Sequence, residues 1–253
     1  MQNWFERAIV AQALKIWRRN CHKIPNLGLL DVIRLRSVAL NARGVLDAFI
    51  RRSDERISRS EIKSSGFQKP ADADWAWRPE LWSSPIDRLG VASAPSNARL
   101  GKEARLFHDC KMADLSIKQF RNLRNIDLSP FGFVMEVFDF DGSYLSLAIA
   151  FPKEAATGLK IRHIVDLEAI IDSERPVKIL ARLNIKHGPN IEQIIREFSH
   201  RGAMSSLGFD LGYLLLNERR ISEVWLDLIF ETPQMNQIKI RDLTFYRRPQ
   251  SGF

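Results

Sequence analysis

The chain has 253 residues, 45% of them apolar and 27% charged, which suffices for one sizeable core or for one domain with an extension and excludes wholesale disorder. Its two cysteines, Cys21 and Cys110, stand far apart in no CxxC or zinc spacing, so they read as two thiols of a reducing compartment. The net charge of +8 is uneven: residues 1–63 hold thirteen Lys and Arg against six Asp and Glu, whereas residues 64–253 hold twenty-five against twenty-four. The excess belongs to the N-terminal quarter, where it suits an anionic partner such as phospholipid headgroups, nucleic acid or an acidic protein.

Residues 1–63 read as a basic helical arm of two helices. Asn3 followed by Glu6 has the spacing of a capping box. At 100° per residue Phe5, Ile9, Ala13, Ile16 and Trp17 share one side, with Arg7, Lys15, Arg18 and Arg19 opposite. Glu6, Arg7 and Lys15 interrupt the apolar stretch, so it is not a secretory signal, and no segment reaches the length of a bilayer span. The expected location is cytoplasmic, with peripheral membrane contact open to the arm. After a turn at Pro25 and Gly28 a second helix is expected from Leu29 to about Ile57, with a seam at Val38, Ala42, Val45 and Phe49. Pairing of the two helices would bury both stripes and leave Arg18, Arg19, Arg51 and Arg52 as the residues for an anionic partner.

Residues 64–100 read as a linker, with prolines at 70, 79, 85 and 95. Trp75, Trp77 and Trp82 argue against a flexible one, because large apolar surface left in water is unfavourable. An extended segment docked on the following domain is expected.

Residues 101–253 read as an antiparallel β-sandwich, mostly β and jelly-roll-like. Alternation places Phe131, Phe133, Met135 and Val137 on one face, and likewise Leu145, Leu147, Ile149 and Phe151. Further sets are Ile161, Val165, Leu167, Ala169 and Ile171; Val177, Ile179, Ala181, Leu183 and Ile185; Leu207, Phe209, Leu211 and Tyr213; and Val224, Leu226, Leu228 and Phe230. In the final run Ile238 and Ile240 have one parity and Leu243 and Phe245 the other, which predicts a β-bulge near Asp242. Asp141-Gly142 between apolar runs predicts a hairpin. Strands do not alternate with helices, so a parallel sheet is not expected.

The segments Trp77-Arg78-Pro79, Leu106 to Cys110, Asn184 to Asn190 and Asp242 to Pro249 resemble an uncharacterised alphaproteobacterial family carried only as a domain of unknown function. The resemblance covers Trp75 to Arg248 and implies no activity and no site residues. The strand pattern and its ending are also similar to jelly-roll carbohydrate-binding modules, a likeness of fold that does not give function.

No phosphate-binding loop, dinucleotide fingerprint, nucleophile elbow or HExxH motif is present. His108-Asp109-Cys110 lies in a strand pattern, where neighbours point to opposite faces, so it reads as a strand end. Asp139-Phe140-Asp141-Gly142 offers too few oxygens for calcium, and His187-Gly188-Pro189-Asn190 reads as a turn. No catalytic residue, metal or cofactor follows. On the polar faces Trp225 and Asp227 share one strand, Arg182 and Asn184 another, and Asp210 lies on a third. If these strands are neighbours, an aromatic platform flanked by hydrogen-bonding groups results, as sugar recognition requires; the plainer expectation is that Trp225 is covered.

The function expected is therefore non-catalytic binding or scaffolding. The sandwich would engage a protein or a glycan, and the arm would serve assembly, including a second copy of the chain, or anchoring to an anionic membrane surface. No signature of sequence-specific nucleic-acid reading accompanies the arm. The alternative is an intracellular enzyme acting on a saccharide or anionic metabolite, with Asp210 or Asp227 as acid/base.

Overall fold

A computed structural model describes residues 4–64, 69–111, 114–124, 127–199 and 204–250 and, within the helical part, the side chains of residues 9–49, 52 and 53. The chain divides into two compact units, 1–53 and 54–253.

The first unit holds α1 (Trp4–Lys23), a 3-10 turn at Ile24–Asn26 built on Pro25, and the start of α2 (Leu29–Ser64). The expected burial of a helix–helix seam does not occur: Val38, Val45 and Phe49 are 56%, 71% and 69% exposed. In α2 the half-buried positions among the described side chains are Val32, Leu35, Ala39, Ala42, Ala48 and Ser53. α2 carries apolar residues all round, with Leu29, Leu30, Ile33, Leu40 and Leu46 also exposed, and the stripe that is half-covered runs through Val32, Leu35, Ala39 and Ala42 and not through Val38, Val45 and Phe49. The capping residue Asn3, the Glu6 side chain and the Arg51 side chain lie outside the described residues. Among the described residues no helix is long and apolar enough to cross a membrane.

The second unit is an antiparallel β-sandwich. Its strands begin at Trp75, ahead of residue 101. In chain order they are β1 (Trp75–Trp77), β2 (Gly90–Val91), β3 (Ala98–Leu100), β4 (Ala104–His108), β5 (Leu115–Arg121), β6 (Phe131–Val137) and β7 (Leu145–Ala150). They continue with β8 (His163–Ser173), β9 (Lys178–His187), β10 (Asn190–Phe198), β11 (Met204–Asp210), β12 (Ile221–Glu231) and β13 (Asn236–Pro249). Two one-turn helices, α3 (Glu80–Ser83) and α4 (Lys153–Ala156), sit in the connections. One sheet has the order β11-β8-β13-β6-β5-β2 with β1 added beside β13, and the other has the order β10-β9-β12-β7-β4-β3.

The core is formed by the alternating residues read from the sequence. Phe133, Met135, Leu147, Ile149, Leu167, Ile179, Leu183, Leu226 and Phe245 are all buried in one cluster. The bulge occurs where the parity of the last run changes, between Ile240 and Asp242 against β8. β13 is therefore shared: Asn236 to Ile240 pair with β6, and Phe245 to Arg247 pair with β1.

Three local expectations change. Asp141-Gly142 makes no hairpin, because β6 belongs to one sheet and β7 to the other. The Asp109 carboxylate holds this inter-sheet loop, accepting from the Ser143 amide (2.7 Å) and the Tyr144 amide (3.2 Å). A Cβ on Gly142 would stand 2.5 Å from Asp109 Oδ1, so a side chain there would displace the carboxylate that holds the loop. The 207–213 run stops at Asp210, which caps a 3-10 turn by accepting from the Gly212 amide at 2.8 Å, and Tyr213 points to solvent. Ile161 precedes β8 and is partly exposed.

The tryptophan segment is part of the sheet. Trp75 and Trp77 pack against Phe151 with ring centroids 6.0 and 5.4 Å away, and Trp77 stacks on Phe245 at 5.7 Å. The Arg247 guanidinium, itself buried, pairs with Asp74 (Nε–Oδ1 2.8 Å) and donates to the Ala155 and Thr157 carbonyls.

His163 lies beside this pair. Its ring is buried, Nδ1 accepts from the Lys160 amide at 3.0 Å, and Nε2 is 3.7 Å from Asp74 Oδ2. Burial pushes the imidazole below its ordinary range; Asp74 pulls it upward, and Arg247 pushes it down again. The unfolded chain therefore binds a proton at His163 more readily than the folded chain. Stability is complete above the ordinary histidine value of about 6.5 and falls as pH drops from there toward the depressed folded value. Thermal unfolding between pH 7.5 and 5 is expected to show this loss. His163→Asn, which keeps an acceptor for Lys160, is expected to reduce the slope, and an unchanged slope in the variant would remove His163 as the cause.

Candidate functional site

Strand register brings four of the five predicted ligand residues together. On the outer face of the second sheet Trp225 in β12 lies opposite Asn184 in β9, and Asp227 lies opposite Arg182. Arg182 donates from Nε and a terminal nitrogen to Asp227 Oδ2 at 3.0 and 2.8 Å. Asn184 donates to the same oxygen at 3.0 Å and accepts from Gln193 of β10 at 2.8 Å. The cluster is buried at its centre, at Asn184 and Asp227, and half-buried at Arg182 and Trp225. A carboxylate ringed by a guanidinium and an amide has its charge matched locally, which fixes the platform around Trp225.

Asp210 does not join them. It belongs to β11 in the other sheet, where Oδ1 caps the 3-10 turn and Oδ2 accepts from Gln250 at 3.1 Å. Glycosidic chemistry needs two carboxylates facing each other across the bond, and Asp210 and Asp227 stand in different sheets.

The decisive feature lies one strand further on. β7 pairs with β12 on one side and with β4 on the other. Its outward residues are Ser146, Ala148 and Ala150, all small. The outward neighbours are large: Phe107 and Arg105 on β4, Ile229, Asp227 and Trp225 on β12. Small side chains between two taller rows make a trough whose floor is β7. Two open depressions of about 400 and 410 Å³ lie along it and share Phe107, Trp225 and Asp227. Tyr144 and Arg182 line the first, and Arg105, Phe151, Pro152 and Lys153 line the second.

Sequence reasoning found the β12 and β9 wall but not the floor or the β4 wall. Ser146, Ala148 and Ala150 alternate with the apolar core residues of β7, so their outward position was readable. That they stand between bulky rows depends on which strands flank β7.

His108 lies between Ala94 O, 3.0 Å from Nε2, and the Cys110 amide, which donates to Nδ1 at 3.2 Å. Cys21 and Cys110 are both unbridged. Among the described residues no group of three His, Cys, Asp or Glu side chains is placed to hold a metal ion. On the helical part Arg18, Arg19 and Arg52 are exposed.

The chain belongs to a family of unknown function: the profile of Family of unknown function (DUF6478) matches residues 1–253. No curated protein matches the sequence. Solved structures that overlay on it include the enzymatically active domain of tailspike protein 4 of bacteriophage CBA120, with TM-score 0.42 and 8% identity over 61% of this chain and 21% of that one. The chain thus spans about one fifth of the tailspike domain. The family 11 carbohydrate-binding module of the cellulosomal cellulase Lic26A-Cel5E of Clostridium thermocellum overlays with TM-score 0.37 and 9% identity, over 60% of this chain and 92% of that one. The CBM22-1 xylan-binding domain of Paenibacillus barcinonensis Xyn10C does so with TM-score 0.34 and 8% identity, over 74% and 99%.

Proposed function

We propose that this member of a family of unknown function binds a saccharide chain, without catalysis, in the trough along β7. The observation that carries the reading is the run of small outward side chains, Ser146, Ala148 and Ala150, between an aromatic-bearing row on each side. Trp225 and Phe107 present ring surface to a shared hollow, and Asp227, Arg182 and Tyr144 bring polar groups to its edge. Pyranose rings have apolar C–H faces and a hydroxyl rim, so they match an aromatic platform with hydrogen-bonding groups around it. The open form suits a polymer that passes through rather than a small molecule that is enclosed. The helical part, with exposed Arg18, Arg19 and Arg52 beside exposed apolar residues, would serve assembly or peripheral anchoring of that binding module.

The test is a glycan array followed by calorimetric titration of the best oligosaccharide. An aromatic stacking partner contributes about 0.5–1.5 kcal/mol beyond the area it buries. Trp225→Ala is therefore expected to weaken binding by about tenfold or more. Ala148→Phe fills the floor and is expected to abolish binding with the melting temperature nearly unchanged, because residue 148 faces outward. Binding that survives both substitutions, or no binding to any saccharide, would overturn the reading.

A further inference from the structure

The charges around the trough say which class of saccharide it suits, an inference that rests on the saccharide reading above. Its carboxylates are engaged. Asp227 takes Arg182 and Asn184, Glu223 pairs with Lys186 at 2.8 Å, and Glu103 accepts from the Glu80 amide at 3.2 Å. Its cations are not all engaged. Arg105, half-buried in the β4 wall, and Lys153 of α4, at the same end, have no carboxylate or hydrogen-bond partner among the described residues.

The register adds a third cation. Arg99 of β3 lies directly opposite Arg105, and it too has no partner among the described residues. Like charges directly opposite on neighbouring strands destabilise a sheet. No described acid offsets this pair, although the chain matches Arg182 with Asp227 two strands away in the same row. An arginine pair left unmatched beside a trough is a fork for an anion, and two guanidiniums fit planar carboxylates by paired N–H donors.

We infer that the trough takes an acidic saccharide, a chain bearing hexuronate carboxylates, with Trp225 and Phe107 against the sugar rings and Arg105, Arg99 and Lys153 on the carboxylate. Asp227 and Arg182 neutralise each other and leave the opposite wall to neutral hydroxyls. Charge selection therefore lies on the β4 side and ring recognition on the β12 side.

The experiment compares an oligogalacturonate with its fully methyl-esterified form, which keeps the rings and removes the charge, and with inorganic polyphosphate. The full chain is titrated with each at low and at raised salt. The free acid is expected to bind at least tenfold more tightly than the ester, with a preference that shrinks as salt rises. Arg105→Gln, and more fully Arg99→Gln with Arg105→Gln, are expected to remove the preference for the acid over the ester together with its salt dependence. Arg88→Gln, an exposed cation outside the trough, is expected to change nothing. Equal binding of acid and ester by the unaltered chain overturns this inference and leaves saccharide binding standing. Failure of every oligosaccharide removes both. Polyphosphate binding as tight as the acid's, and insensitive to Trp225→Ala, overturns the inference in favour of a general anion surface.

Discussion

Arg78→Ala is expected to destabilise the folded chain by about 3–5 kcal/mol, the usual consequence of leaving a buried charge without its partner. The Arg78 side chain is 8% exposed and that of Asp242 1%, with Nε 3.0 Å from Oδ1. A terminal guanidinium nitrogen reaches Oδ2 at 3.1 Å, and Nε is also 3.0 Å from Thr244 Oγ1. Burial pushes the Asp242 carboxyl above the usual carboxylate range, and Arg78 draws it back down. Without Arg78 the upward push of burial is opposed only by the hydrogen bonds from the Thr244 hydroxyl and the Leu243 amide. The folded variant would then hold a proton on Asp242 at pH values where the unfolded chain has lost it, so its stability falls as pH rises. Urea unfolding at pH 7 and pH 5 should show the deficit shrinking at the lower pH, because a protonated carboxyl is less costly to bury. Arg78→Met with Asp242→Leu should recover most of the loss, since apolar residues of similar volume often replace a buried ion pair without penalty. A loss under about 1 kcal/mol in Arg78→Ala would show that the pair behaves like a surface one.

Trp82→Ala should cost a comparable amount, about 3–5 kcal/mol, as for other fully buried aromatic residues cut back to alanine. Trp82 is 0% exposed, and its indole N–H donates to the Ile240 carbonyl at 2.9 Å. That carbonyl lies at the β13 bulge, where the ladder to β8 loses register. The next carbonyl, that of Arg241, accepts from the Asn122 side chain at 2.8 Å. Side chains thus satisfy backbone groups at the bulge, and a buried carbonyl left unmet would add its own cost. Trp82→Phe keeps most of the apolar contact and removes the donor, so it should lose about 1–3 kcal/mol. Trp75→Ala and Trp77→Ala, at half-buried positions, should each lose less than Trp82→Ala. Chemical denaturation of the four variants gives the order directly. Equal losses at all three tryptophans would mean that ring stacking with Phe151 and Phe245, rather than burial, sets the contribution of this segment.

Alternation alone determined which faces of the longer strands turn inward, because a strand with one face in the core must repeat with period two. The inward sets of β6, β7, β8, β9 and β12 were all legible in this way, and the change of parity at Asp242 located the bulge without any view of its surroundings. β1 to β5 and β10 were not read as alternating runs; in β10 Ile191 and Ile195 remain exposed on an edge strand, so its pattern mixes two half-wet faces. Helical periodicity found α1 and α2 but assigned a seam that stays exposed, since a stripe states what could be buried and not what is present to bury it.

The tertiary structure decided which distant segments meet. Trp82, Arg78 and Asn122 were visible as residues, but only the pairing of β1 with β13 and the course of the chain before β6 bring them to one bulge. The candidate site divides in the same way. Trp225, Asp227, Arg182 and Asn184 could be placed on polar faces because each alternates with core residues, and their assembly required β9 to lie beside β12. Asp210 had an equivalent pattern and went to the other sheet. Strand order is set by long-range pairing and connection geometry, which a period of two does not encode, and so the floor of the trough at Ser146, Ala148 and Ala150 and the opposed Arg99 and Arg105 exist only once β3, β4, β7 and β12 are laid side by side.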